Sequence, residues 1–405
     1  MRILFFATTD FYRRPNPSFH LMVSMIEDIL QAGHKVYFLG IKEDGVERHI
    51  PDQFENNPSF EYDLVPLPSV NKAAFVKRYL VGIKYAFKAL KYIKKNANKC
   101  DVVFARSSPT VLFNLFLTKR CSKRRVILNI QDMFPGASIA SGIMPNKLMQ
   151  RTFYLLQKIA YKNADIIVAI SEDMKTRLLE EGVNENKIRV IVNWFDDRTV
   201  HEVKREDNRF IKKYEMKEDK FYVQYAGTMG YVFDYKMVIA VAKLLQDYPD
   251  IVIQMIGAGS QKQSFMDAVE ADGLRNVVFY PLEPQEMVAD VYSACNVCLI
   301  PLKDFVIGNA VPSKAGLLMA CKRAIVTSVN EDSDYYRMVN DEKIGIACSH
   351  ERPEDVANAI LHLFNNREEC KQMGINGYEF GHNLYSRTTN MKKYLALFEE
   401  MSFKS

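Results

Sequence analysis

No stretch of this 405-residue chain stays apolar for the roughly 20 residues that a membrane-crossing helix needs. The run after Met1 and Arg2, ILFFA, is far shorter, and no secretory leader is visible. The expectation is a cytoplasmic protein that is not integral to a membrane. Seven cysteines are scattered without a framework. That excludes a disulfide-stapled scaffold and suits a reducing compartment. The one C-x-x-C, Cys295 and Cys298 within ACNVCLIP, has no second pair near it, so a half-buried strand is expected there rather than a metal site. No RNP-like or helix-turn-helix pattern is present, so nucleic acid is not an expected partner.

What is present is ordinary globular material, 48% hydrophobic and 25% charged. Its length is that of two or three domains. The net charge of +5 hides an asymmetry. Residues 1–200 carry 30 Lys and Arg against 20 Asp and Glu, whereas residues 201–405 carry 24 against 29. A basic half followed by an acidic half predicts two domains facing different partners.

Short apolar runs alternate with helical periodicity, the signature of a parallel α/β architecture. Strands are predicted at 2–8, 35–40, 101–107, 125–132, 164–171 and 187–193, with a helix at 19–34 closed by Gly33. The polar, weakly periodic stretch 196–220 reads as a linker. The pattern then restarts, with strands at 221–227, 251–257, 276–281, 297–301 and 324–328 and helices at 235–246, 354–365 and 390–401. The predicted domains are 1–195, with a C-terminal helix within 384–405 packing back on it, and 221–383. Two doubly wound domains would face each other across a cleft at the carboxyl ends of both sheets, where such folds bind ligands.

Several residues stand at those ends. In YAGTMG (225–230), Gly227, Thr228 and Gly230 follow a strand and precede a helix, which lets a phosphate approach backbone N–H groups. A plain glycine turn is the competing reading. In VPSKAGLLMA (311–320), Pro312 and Ser313 suit a helix entry and cap, and Lys314 falls in the first turn. A cation there opposes the helix dipole unless an anion also binds, so the pattern fits either a diphosphate site or a solvated lysine. Gln131 and Asp132 close one strand of the first domain and Arg106 another. A turn-capping aspartate is the alternative for Asp132. Asn193 and the single tryptophan, Trp194, stand at the domain junction.

The segment 76–95, VKRYLVGIKYAFKALKYIKK, reads as a basic amphipathic helix. Lys77, Lys84, Lys88, Lys91 and Lys95 share one face by spacing, and Val76, Leu80, Ile83, Phe87 and Leu90 are expected on the other. TKRCSKRR (118–125) adds more cations in the same half. The expectation is adsorption on an anionic lipid surface, against the plainer reading of a core helix with a solvated back.

The order and spacing of QAGHKVYFLG (31–40), NIQDMFPG (129–136), NADIIVAISEDMKTRLLEEGV (163–183), KIRVIVNWFDD (187–197), YAGTMG (225–230), IQMIGAGSQKQ (253–263) and VPSKAGLLMACKRAIV (311–326) resemble the GT-B-fold glycosyltransferases of family 4. The likeness spans nearly the whole chain and is strongest to bacterial members that build capsule, O-antigen and exopolysaccharide. It implies an α/β fold of two Rossmann-like domains, an N-terminal one for the acceptor and a C-terminal one for the nucleotide-sugar. It also implies sugar transfer with retention of configuration, no metal or other cofactor, and a polyprenyl-diphosphate-linked acceptor. The protein would then sit on the inner face of the plasma membrane.

On that resemblance Gly227, Thr228, Gly230, Ser313 and Lys314 hold the donor. Gln131, Asp132 and Asn309 act at the reacting sugar. Apart from the resemblance, Arg13 and Arg14 in DFYRRPNP and Arg106 at its strand end are expected to meet the acceptor. The chain departs from the family pattern in places. Asn309 and Leu317 replace its glutamate pair, Thr228 and Phe233 replace an arginine and a lysine, and Gln131 replaces its histidine. DFYRRPNP (10–17) replaces a double-glycine loop. Two further readings therefore stay open, a catalytically silent GT-B protein that binds sugar or partner enzymes at the membrane, and a nucleotide-sugar epimerase of the same fold.

Overall fold

Most of the central strands form where aliphatic and aromatic residues predominate, because a parallel strand is buried on both faces. In the computed structural model, which describes residues 1–8, 10–12, 19–68, 75–140, 142, 144–304, 306–307 and 315–403, these runs build two wholly parallel sheets. The first contains β1 (Arg2–Phe6), β2 (Lys35–Glu43), β3 (Phe60–Leu67), β4 (Val102–Arg106), β5 (Arg125–Asn129), β6 (Ile166–Ala169) and β7 (Ile188–Val190), in the order β3-β2-β1-β4-β5-β6-β7. The second contains β8 (Phe221–Ala226), β9 (Ile251–Ile256), β10 (Val277–Tyr280), β11 (Val297–Pro301), β12 (Ala324–Val329) and β13 (Gly345–Ser349), in the order β10-β9-β8-β11-β12-β13. Each sheet reverses its strand order once, between β1 and β4 and between β8 and β11. Ligands of open α/β sheets bind at such reversals.

The chain divides into two compact units, Met1–Val192 together with the residues from Asn390 onward, and Asn193–Thr389. In the first unit Phe5 packs on Phe38 and Phe104, with ring centroids 5.9 and 4.9 Å apart. The last helix (Arg387–Phe403) brings Tyr394 and Phe398 onto Phe104, at 5.9 and 5.7 Å. In the second unit Phe221, Val223, Ile253, Met255, Leu299 and Val326 form the centre of the core.

The segment 196–220, expected as a linker, instead folds onto the second unit. Asn208 is fully buried; it caps the helix Arg209–Lys213 by accepting from the Ile211 amide at 2.9 Å, and it donates to the Asp290 carbonyl at 2.8 Å. The Arg209 guanidinium forks onto the buried Asp290 carboxylate, and Phe210 packs edge-on and Tyr214 at a tilt against Tyr280, with centroids 5.4 and 4.5 Å apart. Its anchors are few and widely spaced among charges, so its hydrophobic pattern is weak although its docking is firm.

A second difference concerns the basic helix, which spans Phe75–Asn96. The lysines and the apolar residues do not occupy opposite faces. Leu80, Ile83 and Phe87 are 57%, 36% and 60% exposed, beside the exposed Lys84, Lys88, Lys91 and Lys95. The face that packs inward is Tyr85, Ala86, Ala89 and Ile93, all buried. At 100° per residue those four gather opposite Leu80 and Phe87. Val76 and Lys77 lie outside the residues whose side chains the structure describes. Among the described residues no helix is long and apolar enough to cross a membrane.

Candidate active site

In the first unit the relevant edge is the carboxyl end of the sheet, next to the reversal between β1 and β4. Arg106 ends β4 and pairs in register with Asn129, which ends β5. Three residues that follow β4 and β5 tie the edge together. The Ser107 amide donates to the Asn129 carbonyl at 2.8 Å, and the Ser107 hydroxyl accepts from the Gln131 amide at 3.2 Å. Ser108 caps the helix Pro109–Ser122. The Gln131 side-chain amide donates to Asn129 Oδ1 at 2.7 Å, and Asn129 Nδ2 donates in turn to the Tyr394 hydroxyl at 3.0 Å.

Arg106 and Asp132 carry the charge of this edge, and neither side chain makes a hydrogen bond among the described residues. Burial pushes the Arg106 guanidinium down to about 10, with Tyr394 and then Asp132 pulling it back up. Asp132 keeps access to solvent, yet protein crowds round it. That desolvation raises its carboxyl above the usual carboxylate range, while Arg106 pulls it down. The result is a solvent-reachable carboxylate of raised basicity coupled electrostatically to a half-buried guanidinium, the kind of pair that serves proton transfer or binds a charged ligand.

Two residues here were not singled out from the sequence. Asp10, buried behind β1, receives the Tyr12 amide at 3.0 Å, the Glu43 amide at 3.2 Å and His49 Nδ1 at 2.5 Å. An aspartate just after a first strand was the available signal, but His49 lies 39 residues on with no pattern to join the two. Arg13 and Arg14 lie outside the described residues.

In the second unit the loop after β8 is held by the loop after β9. The Gly227 amide donates to the Ile256 carbonyl at 2.8 Å, and the Met229 amide to the Ala258 carbonyl at 3.0 Å. The Gln261 amide returns to the Met229 carbonyl at 3.0 Å, and its side chain reaches the Gly230 carbonyl at 2.6 Å. The Tyr225 hydroxyl donates to the Thr228 carbonyl at 2.7 Å. The approach is too close for any side chain: a Cβ at Gly257 would stand 2.0 Å from the Gly227 carbonyl oxygen, and one at Gly259 would stand 2.2 Å from that of Met229.

Carbonyls of this loop are thus engaged, while the Thr228 and Gly230 amides have no partner among the described residues. Thr228 is exposed. Open N–H groups at the carboxyl end of β8, beside the reversal between β8 and β11, form an anion-accepting edge. Asn309, Ser313 and Lys314 lie outside the described residues. Leu317, in the helix Ala315–Ala320, is half-buried. Cys295 and Cys298 are both buried free thiols, hydrogen-bonded to each other with sulfurs 3.4 Å apart.

Comparison with known proteins agrees with this division. Residues 21–199 match the family described as Glycosyltransferase Family 4, and residues 206–380 match Glycosyl transferases group 1. The chain is 26% identical to the "Probable glycosyltransferase WbjE" of Pseudomonas aeruginosa over 75% of its length and 76% of the relative's. It is 23% identical to the "Putative colanic acid biosynthesis glycosyl transferase WcaI" of Escherichia coli, over 52% of its length and 53% of the relative's. Its fold superposes on Anabaena Alr3699/HepE, solved in complex with UDP-glucose, with a TM-score of 0.73 at 12% identity, covering 99% of this chain and 100% of that one. Two family matches in succession, on two parallel sheets that each reverse order once, identify the chain as a glycosyltransferase of the GT-B fold.

Proposed function

We propose that the protein transfers a sugar from a nucleotide-diphosphate sugar, with uridine as the base, to a lipid-linked diphosphate acceptor in bacterial surface polysaccharide synthesis, with retention of configuration. The observation that carries this reading is the open N–H pair of Thr228 and Gly230 on a loop that Gly257 and Gly259 press into place. Those amides and Lys314 receive the donor diphosphate and supply the positive charge that a metal would otherwise carry. Asp132 and Gln131, with Asn309, act at the reacting sugar. Arg106, with Arg13 and Arg14, takes the acceptor diphosphate. The UDP-glucose complex of the structural relative supports a uridine donor, and the relative named for colanic acid supports a polysaccharide role.

Calorimetric titration of UDP and GDP into wild type and Lys314→Ala tests it. Binding of one nucleotide, weakened about tenfold or more in the variant, is expected. If neither nucleotide binds wild type, the reading fails and the silent GT-B protein replaces it, since Leu317 leaves no carboxylate where the family pattern has one.

The acceptor side of the reading rests on three helices that pack side by side, Phe75–Asn96, Pro109–Ser122 and Lys147–Asn163. Leu80, Phe87, Phe116, Leu148 and Leu155 are exposed on them at 57%, 60%, 42%, 74% and 59%. The exposed Lys84, Lys88, Arg151 and Lys158 stand among these apolar side chains. Apolar groups that enter the headgroup layer, ringed by cations, suit an anionic membrane surface at about 1 kcal/mol per basic residue. Lys84, Lys88 and Lys91 changed to Glu are expected to release the protein from vesicles containing anionic lipid. Unchanged co-sedimentation would sink this part of the reading.

A further inference from the structure

The amino end of the second sheet carries a cavity of about 300 Å³. Phe221 opens β8 and Arg323 immediately precedes β12, so this cavity lies at the opposite end of the strands from the Gly227 loop. Six residues of β8 at about 3.3 Å each put roughly 20 Å between the two ends. Four cations line the cavity, Lys322, Arg323, Arg367 and Lys371, against a single carboxylate, Glu202.

The partners of these cations leave positive charge uncovered. Arg323 is fully engaged, with Nε on the Cys321 carbonyl at 2.8 Å, one terminal nitrogen on the Cys295 carbonyl at 3.2 Å and the other on Glu202. Lys322 shares that same carboxylate at 3.4 Å and stands 5.1 Å over the Tyr378 ring. Lys371 reaches Glu368 at 2.7 Å in an exposed i,i+3 pair. Two further acids lie nearby and are themselves paired, Glu369 with His362 at 2.8 Å and Asp250, which acts on Arg367, with Lys220 at 2.7 Å.

Arg367 differs from the other three. Its guanidinium lies by the rings of Phe221 and Phe364, at 4.2 and 4.7 Å, with no hydrogen bond or close ion pair among the described residues, and Asp250 acts on it only through space. The two rings, 75° apart in plane, pack on the guanidinium and restrict it, which lowers the rotamer cost of meeting an oxyanion. Partial desolvation lowers its basicity without discharging it. The turn bearing Lys322 is also fixed. Lys322 is held at φ +55°, and its carbonyl oxygen lies 2.2 Å from where a Cβ on Gly374 would stand.

We infer that this cavity is a second anion site, which takes the phosphate group of a small phosphate monoester, with Arg367 forking onto two phosphate oxygens and Lys322 closing on a third. A dianion suits it better than a single carboxylate, because the lining exceeds neutrality by more than one charge. The volume admits a group of sugar size beyond the phosphate. Nothing in this inference depends on the donor reading, which uses the other end of the sheet.

The test is calorimetric titration of inorganic phosphate and of a hexose 6-phosphate into the full chain. Wild type is compared with Arg367→Gln, Lys322→Ala and Lys314→Ala, each checked for an unchanged melting temperature. Arg367→Gln removes the charge and the guanidinium while keeping a planar polar group on a shorter stem. The expected result is saturable binding that weakens about tenfold or more in Arg367→Gln and in Lys322→Ala and is unchanged in Lys314→Ala. Absence of saturable binding to wild type below about 10 mM overturns the inference. So does binding that survives Arg367→Gln and is lost in Lys314→Ala, which would put the anion at the donor edge.

Discussion

The hydroxyl of Tyr394, on the last helix of the chain, accepts a hydrogen bond from the Asn129 side chain at 3.0 Å, across 265 residues of sequence. Asn129 is buried, and it also accepts from Gln131, so the C-terminal helix sets the orientation of a residue at the candidate active edge. Tyr394→Phe leaves the Asn129 amide without that acceptor in an apolar setting. The expected cost is about 1–3 kcal/mol, read as a lower denaturant midpoint, together with a fall in transfer rate as Gln131 loses its anchor. An unchanged midpoint would show that the bond does not hold the edge.

Asp132 is raised by desolvation, so the folded protein binds that proton more tightly than the unfolded chain does. Its contribution is complete below the ordinary value of 3.8 and is lost as pH rises through the raised value. Asp132→Asn, which resembles the protonated form, is therefore expected to match wild type in acid and to exceed it in stability at neutral pH. The same variant is expected to lower kcat about a hundredfold or more. Denaturation at several pH values and a steady-state assay check the two halves separately.

Gly257→Ala tests the pressed loops. At φ +132° with a carbonyl oxygen 2.0 Å from the added carbon, neither rotation nor a side-chain shift relieves the contact. The loop after β8 has to move. Loss of nucleotide binding is expected, with destabilisation on the order of 3 kcal/mol. Titration of the variant with nucleotide, beside its thermal midpoint, separates loop displacement from global unfolding.

Asp290 has the opposite sign to Asp132. Desolvation pushes its carboxyl up, but the hydrogen bonds from Arg209 outweigh that, and the net shift is downward. Its stabilisation is present above the ordinary value of 3.8 and disappears as pH falls through the lowered value. Asp290→Asn is expected to flatten the acid side of the stability curve and to loosen residues 196–220, which hydrogen exchange would read as faster exchange at Arg209 and Ile211.

The edge and the interior of the sheets differed in how well they could be read. β1, β4, β8 and β11 are dominated by buried apolar residues, and their periods and bounding residues predicted them within one or two positions. β3 was not anticipated, because as an edge strand it alternates with exposed charges, and β13 is five residues of mixed character. The helix Arg367–Tyr385 was also missed. Gly374, Gly377 and Gly381 argue against a helix by propensity, yet the structure uses Gly374 and Gly381 to let the Lys322 carbonyl and Met319 approach.

The same contrast holds for function. The sequence by itself determined the parallel α/β class, the two repeats of the pattern, and the polar residues that end β4, β5 and β8, because strand identity and strand ends are local properties. Tertiary structure alone decided that Tyr394 reaches Asn129, that Asp10 holds His49, that Leu80 and Phe87 face outward among the lysines, and that Arg367 stacks on Phe221. Each of those depends on which elements pack together, and side-chain contacts across tens or hundreds of residues leave no periodic trace in the chain.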